Sequence, residues 1–269
     1  METQRNGLSV VIVDDAMAMR SVLRSILSSD GYRVLADLAS GAHLLETIKR
    51  MQPHLVCLDF SLPDVDGLSL LKEIHAAHRD VAVVMITGSE DAQVEIGAAE
   101  AGAAGFIRKP FSQAQILGEL RQVAHAQALL IKSRQGGGEN SQVITAGPPV
   151  HAVIADDSDT MRQLLTAILT EAGVMVLGEA SNGEEAVRLV EENRPELVFL
   201  DYAMPGMNGL DALKQIIATQ PGIRAMMVTA AADRDLVRQC AQAGARGYIL
   251  KPYRPDKVIA AVKQLIATA

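Results

Sequence analysis

Leu8–Val13, Leu55–Leu58 and Val81–Ile86 are nearly continuous apolar runs rich in β-branched residues, the pattern of parallel strands covered on both faces. Between them the period lengthens. Met19, Val22, Leu23, Ile26 and Leu27 fall at i, i+3, i+4, i+7 and i+8, and Met161, Leu164, Leu165, Ile168 and Leu169 repeat that spacing, which predicts two amphipathic helices. Gly31 and Gly173 stand where those helices must stop. The pattern predicts strands near 8–13, 33–36, 55–58, 81–86 and 104–108, each followed by a helix, and the same set again 142 residues later. Five β–α alternations with right-handed crossovers make a doubly wound α/β layer structure, in which functional groups gather at the carboxyl ends of the central strands.

The second set is a duplication. Val11-Ile12-Val13-Asp14-Asp15 answers Val153-Ile154-Ala155-Asp156-Asp157, Leu55–Asp59 answers Leu197–Asp201, and Ile107–Pro110 answers Ile249–Pro252. Sliding 8–127 onto 150–269 without a gap matches about 37 of 120 pairs, Arg20/Arg162, Gly67/Gly209 and Thr87/Thr229 among them. Repeats of this length are whole domains, not solenoid units, so each should own a core. The expected organisation is a first domain over 7–132, a Gly-, Ser- and Pro-bearing flexible linker over 133–149 and a second domain over 150–269. Leu129, Leu130 and Ile131 prolong the last helix of the first copy, and packing on their own domain is expected for them.

Composition removes several function classes. At 269 residues, 49% hydrophobic and 21% charged, the chain is globular and of two-domain size. A net charge of -7 would repel a phosphate backbone, so protein partners are expected and nucleic acid is not. No apolar run approaches the ~20 residues of a membrane helix. The N-terminus lacks the order of a signal peptide, so a cytoplasmic protein is expected. Cys57 and Cys240 belong to no disulfide or metal framework. His75 and His78, three apart on a helix, read as a solvated face because no third ligand is near.

The unusual polar residues sit at strand ends: Asp14 and Asp15 after the first, Asp59 after the third, Thr87 after the fourth, and Lys109 before Pro110 after the fifth. The second copy has Asp156, Asp157, Asp201, Thr229, Lys251 and Pro252. Singly, such an Asp caps a helix and such a Lys is a surface charge. That does not explain a full set aimed at one sheet edge, twice. Three converging carboxylates repel one another, which raises a pKa or calls for a cation. Oxygen ligands with sites left for water and phosphate suit Mg²⁺. A carboxylate beside that ion and a Lys is equipped to attack a phosphoryl group, giving an aspartyl phosphate whose oxygens a Thr hydroxyl can hydrogen-bond.

Asp-Asp, then Asp59-Phe60-Ser61-Leu62-Pro63-Asp64-Val65-Asp66-Gly67, then Thr87, then Lys109-Pro110, with its second copy, resembles the receiver domains of bacterial two-component response regulators over about nine-tenths of the chain. The resemblance implies flavodoxin-like sheets of order 2-1-3-4-5, an order the family itself exemplifies. It implies phosphoacceptors at Asp59 and Asp201. Mg²⁺ would be held by Asp15 and Asp157 directly, by Asp14 and Asp156 through water, by the acceptors, and by the main-chain carbonyls of Ser61 and Ala203. Lys109 and Lys251 would contact the phosphoryl oxygens, Thr87 and Thr229 would be switch hydroxyls, and Phe106 and Tyr248 switch aromatics. Phe106 lacks a hydroxyl, so coupling to the surface should differ in the first copy. Cis peptides are implied before Pro110 and Pro252.

The resemblance therefore implies a response regulator with two phosphoacceptor domains. It would be phosphorylated by a sensor histidine kinase or a phosphotransfer protein, as part of a phosphorelay, and would signal to a downstream protein target. It would not be a turnover enzyme. A phosphohydrolase of similar chemistry usually carries a second acid two residues after the nucleophile, where this chain has Ser61 and Ala203. The remaining alternatives are a phosphorylation-independent scaffold and the regulatory fragment of a larger effector protein. If the chain is whole, output is expected through binding in trans.

Overall fold

In a computed structural model describing residues 7–89, 91–135, 149–231 and 233–267, the alternation read from the sequence becomes ten strands and ten helices. The first copy contains β1 (Ser9–Val13), α1 (Met17–Ser29), β2 (Arg33–Leu38), α2 (Leu44–Met51), β3 (Leu55–Asp59), α3 (Gly67–Ala77), β4 (Ala82–Thr87), α4 (Ala92–Glu100), β5 (Gly105–Arg108) and α5 (Gln113–Gln135). The second contains β6 (Val150–Ala155), α6 (Asp159–Glu171), β7 (Val174–Ala180), α7 (Gly183–Asn193), β8 (Leu197–Asp201), α8 (Gly209–Thr219), β9 (Arg224–Thr229), α9 (Arg234–Gln242), β10 (Ala245–Leu250) and α10 (Pro255–Ala267). Both sheets are parallel, ordered β2-β1-β3-β4-β5 and β7-β6-β8-β9-β10.

The continuous apolar runs form the inner strands because only a strand covered on both faces can bury every side chain. β1, β3 and β8 are buried at every position, whereas edge strands β7 and β10 alternate. Each sheet has a core on either side. In the first copy, Leu23 and Leu27 of α1 join Ile116, Leu120 and Val123 of α5 on one face. Leu44, Ile48, Leu70, Leu71 and Ile74 of α2 and α3 fill the other. All five members of the α6 stripe are buried, but Val22 of the α1 stripe is 47% exposed.

The helices stop and start where local chemistry dictates. Gly31 and Gly173 take φ of 88° and 83°, left-handed values that end α1 and α6. Asp66 and Asn208 cap α3 and α8 by accepting from Ser69 N and Asp211 N. His75 departs from its expected solvated face: its Nε2 is buried without a hydrogen-bond partner, and burial lowers its pKa against a hydrogen bond with the Gly102 backbone.

The chain divides into two compact units, Met1–His125 and Ala126–Ala269. This break falls inside α5, and Leu129 and Leu130, expected to pack on the first domain, are instead buried in the second unit's core together with Ala126, because their apolar stripe faces that core. The expected linker lies largely outside the described residues, at 136–148.

Close approach at the start of α3 and α8 leaves no room for a side chain. A Cβ on Gly67 would sit 2.8 Å from the Asp59 carbonyl oxygen, and one on Gly209 would overlap the Asp201 carbonyl oxygen. Backbone cannot yield as a flexible side chain can. Gly209→Ala is therefore expected to lower the stability of the second unit by about 3 kcal/mol. Three of the four tyrosines (Tyr202, Tyr248, Tyr253) lie in that unit, so urea unfolding followed by tyrosine fluorescence reads the loss. An unshifted midpoint would refute it.

Candidate functional site

Register brings the strand-end residues together. Val13 pairs with Leu58, so Asp14 and Asp59 are next-door residues at the ends of β1 and β3. Asp59 pairs with Ile86 and Thr87 with Arg108, which carries Thr87 and Lys109 to the same rim. In the second unit Ala155 pairs with Leu200, Asp201 with Val228 and Leu250 with Thr229, which sets Asp156, Asp201, Thr229 and Lys251 in the matching places.

Side chains complete the convergence. Lys109 Nζ donates to Asp14 Oδ2 at 2.8 Å and to Asp59 Oδ2 at 2.9 Å. Lys251 Nζ lies 2.8 Å from both Asp156 Oδ2 and Asp201 Oδ2. Asp15 and Asp157 are exposed, yet each offers a carboxylate oxygen within 4.8 Å of the other two acids of its set. The remaining oxygen of each buried first acid is held by main chain: Asp14 Oδ1 accepts from Ala16 N and Asp156 Oδ1 from Ser158 N, both at 2.9 Å. The peptides Lys109–Pro110 and Lys251–Pro252 are cis.

The two sites differ in enclosure. The Lys109 side chain is 22% exposed and that of Lys251 only 4%. Tyr253 accounts for part of this: it is buried, and its hydroxyl donates to Asp156 Oδ2 at 3.4 Å, where the first copy has the half-buried Phe111. Burial raises the Asp59 carboxyl, opposed by Lys109 and reinforced by Asp14. In the tighter second site Asp201 is pushed up to about 7 by burial, with Lys251 opposing and Asp156 and Asp157 reinforcing. Burial and Asp156 also raise Asp157. For Lys109 and Lys251 burial acts downward, but the paired carboxylates outweigh it and both are raised.

A carboxyl that holds its proton more tightly folded than unfolded makes stability rise as pH falls. For Asp201 that window runs from about 7 down to the unfolded carboxylate range near 4. In solution free of divalent cations, lowering pH from 7 to 5 is expected to stabilise the second unit, and Asp201→Asn to abolish that gain while raising stability at pH 7. Urea midpoints of the two proteins at both pH values test this; equal pH slopes would contradict it.

The remaining residues singled out in the sequence lie around these clusters. Thr87 Oγ1 accepts from Ser89 N at 3.0 Å, and Thr229 Oγ1 donates to the Ala231 carbonyl at 2.8 Å. Ser61 and Ala203 are exposed in the loops after β3 and β8, and Ser61 N lies 3.4 Å from Asp59 Oδ1. The two aromatic positions differ in placement. Phe106 is half-buried against the first unit's core, its backbone N–H donating to Glu119 Oε1 at 3.2 Å. Tyr248 is 45% exposed, at the margin of an apolar cleft shared with Thr229, Leu236 and Cys240. Tyr253 is the site residue that sequence reasoning passed over; its place directly after Lys251-Pro252 was the available signal.

In each unit three converging carboxylates, two of them bridged by a lysine ammonium, offer oxygen donors fit for a hard divalent cation. The family model for the response regulator receiver domain matches residues 10–121 and 152–263. Chemotaxis protein CheY of Thermotoga maritima is 39% identical over 113 residues, which is 42% of this chain and 94% of that protein. Response regulator GacA of Pseudomonas aeruginosa is 32% identical over 119 residues, 44% of this chain and 56% of that protein. Among solved structures, the CheX–CheY–BeF3–Mg complex from Borrelia burgdorferi aligns at 32% identity over 45% of this chain and 92% of that one, with a TM-score of 0.44.

Proposed function

The chain belongs to the response regulator receiver domain family, and carries that domain twice; from this we propose that both halves accept a phosphoryl group, on Asp59 and on Asp201. The observation that carries the reading is the lysine bridge in each unit, which joins two buried carboxylates beside a third acid. In the proposed step a carboxylate oxygen of Asp59 or Asp201 attacks phosphorus, the bond from phosphorus to the donor breaks, and the donor leaves with its electron pair. An acyl phosphate remains on the protein.

Each neighbour has a role in that step. Lys109 and Lys251 move from carboxylate to phosphoryl oxygens, keeping a positive charge where negative charge accumulates. Thr87 and Thr229 close the strand beside the acceptor and hydrogen-bond a phosphoryl oxygen. Asp14, Asp15 and Asp59, and Asp156, Asp157 and Asp201, together with the main-chain carbonyls of Ser61 and Ala203, would hold Mg²⁺. When bound, that ion supplies charge neutralisation across the acids and the incoming phosphoryl group.

The donor is a sensor histidine kinase or a phosphotransfer protein, and output passes to a downstream protein target; the net charge of -7 favours protein surfaces over nucleic acid. The chain acts as a stoichiometric acceptor, not as a turnover enzyme. No helix among the described residues is long and apolar enough to cross a membrane. The test is intact-mass spectrometry of the full chain after incubation with Mg²⁺ and acetyl phosphate, or binding of a beryllium fluoride mimic. Two phosphoryl groups per chain are expected; none with any donor would reduce the protein to a scaffold.

A further inference from the structure

The loop that carries each pair of adjacent acids leaves the sheet at its most charged point. Asp14 N still donates to Leu38 O at 3.1 Å and Asp156 N to Ala180 O at 3.1 Å, but there the strand ladder ends. A buried carbonyl beyond the ladder needs another donor. In both units an arginine supplies it. Arg20 Nη1 donates to the Asp14 carbonyl at 2.7 Å and to the Asp15 carbonyl at 2.9 Å. Arg162 Nη1 donates to the Asp156 carbonyl at 2.6 Å. The Arg162 side chain is itself fixed by Asp159 and, at 3.6 Å, by Glu179. The arrangement recurs in two units of different sequence, and the chemistry proposed above makes no use of it.

We propose that Arg20 and Arg162 are positioning residues for the divalent cation, an inference that rests on the acceptor reading. By holding the carbonyls of the acid-bearing loop, each guanidinium fixes where the two adjacent carboxylates present their oxygens. Charge and geometry predict opposite effects here. A positive charge beside a cation site weakens cation binding, so if charge alone mattered, removing the arginine would tighten it. If the arginine sets the loop, removing it loosens binding. Lysine separates the two cases further, since it keeps the charge and loses the planar, directed donors.

The experiment is calorimetric titration of Mg²⁺ into the full chain carrying Asp157→Asn, so that the first site alone is read. Arg20 is compared with Arg20→Met and Arg20→Lys, with far-UV circular dichroism melts recorded in parallel. Binding is expected to weaken about tenfold in the Met variant, and to weaken also in the Lys variant, with the melts little changed. Unaltered affinity in both variants, tighter binding in Arg20→Met, or parental affinity in Arg20→Lys would each overturn the inference. If Arg20→Met does not fold, the Lys variant decides. A parent that binds no Mg²⁺ would overturn the acceptor reading along with it. The mirror set, Arg162 variants on Asp15→Asn, applies the same criteria to the second site.

Discussion

Asp59→Asn and Asp201→Asn are each expected to take one phosphoryl group in place of two, and the double variant none. The substitution keeps the volume and replaces an anionic oxygen with a neutral amide, which is a far weaker nucleophile toward phosphorus. Asp14 and Asp156, the other lysine-bound acids, do not take over, because their Oδ1 atoms are tied to main-chain N–H groups and their Oδ2 atoms to Lys109 and Lys251. Intact mass of the three variants after Mg²⁺ and acetyl phosphate reads the stoichiometry directly. A single variant that still gains two groups would move the acceptor elsewhere.

Lys251→Met is expected to be the more damaging of the two lysine substitutions. Its ammonium is itself almost wholly buried and is the partner of two buried carboxylates, and deleting one member of a buried charge cluster costs about 3–5 kcal/mol. Lys109 is more exposed, so water can replace part of what Lys109→Met removes, and a smaller loss is expected there. The sign of the pH effect follows from Asp201. Lys251 opposes the upward push of burial on that carboxyl, so without it Asp201 holds a proton to higher pH. Protonation relieves the unpaired charge, and the penalty should shrink as pH falls from 7 to 5. Urea unfolding of both variants at the two pH values tests the order and the trend. Equal losses for Lys109→Met and Lys251→Met would show that enclosure does not set the difference.

Much of the acid cluster was legible in the chain because strand ends are local features. An apolar run that stops at Asp-Asp, Asp, Thr or Lys-Pro marks a carboxyl end wherever the strand lies, and the duplication tests each mark a second time. Helix stops at Gly31 and Gly173 were legible for the same reason, since a left-handed residue is needed there whatever packs around it. Other features depended on what lies across the fold. Val22 shares the spacing of Leu164, yet one is exposed and the other buried, because periodicity gives a helix a face without saying how far its neighbours cover it.

Neighbouring residues alone set two α/β repeats, the order of their elements and the carboxyl edge at which the acids, threonine and lysine of each stand, because hydrophobic period and strand ends are local properties of the chain. Packing across the fold set the rest: Lys251 is nearly buried while Lys109 meets water, Tyr253 reaches Asp156, Arg20 and Arg162 hold the acid loop, and Phe106 packs inward while Tyr248 faces out. Those outcomes rest on donor directions and water exclusion among side chains that sheet register and packing bring together, and spacing along the chain encodes neither.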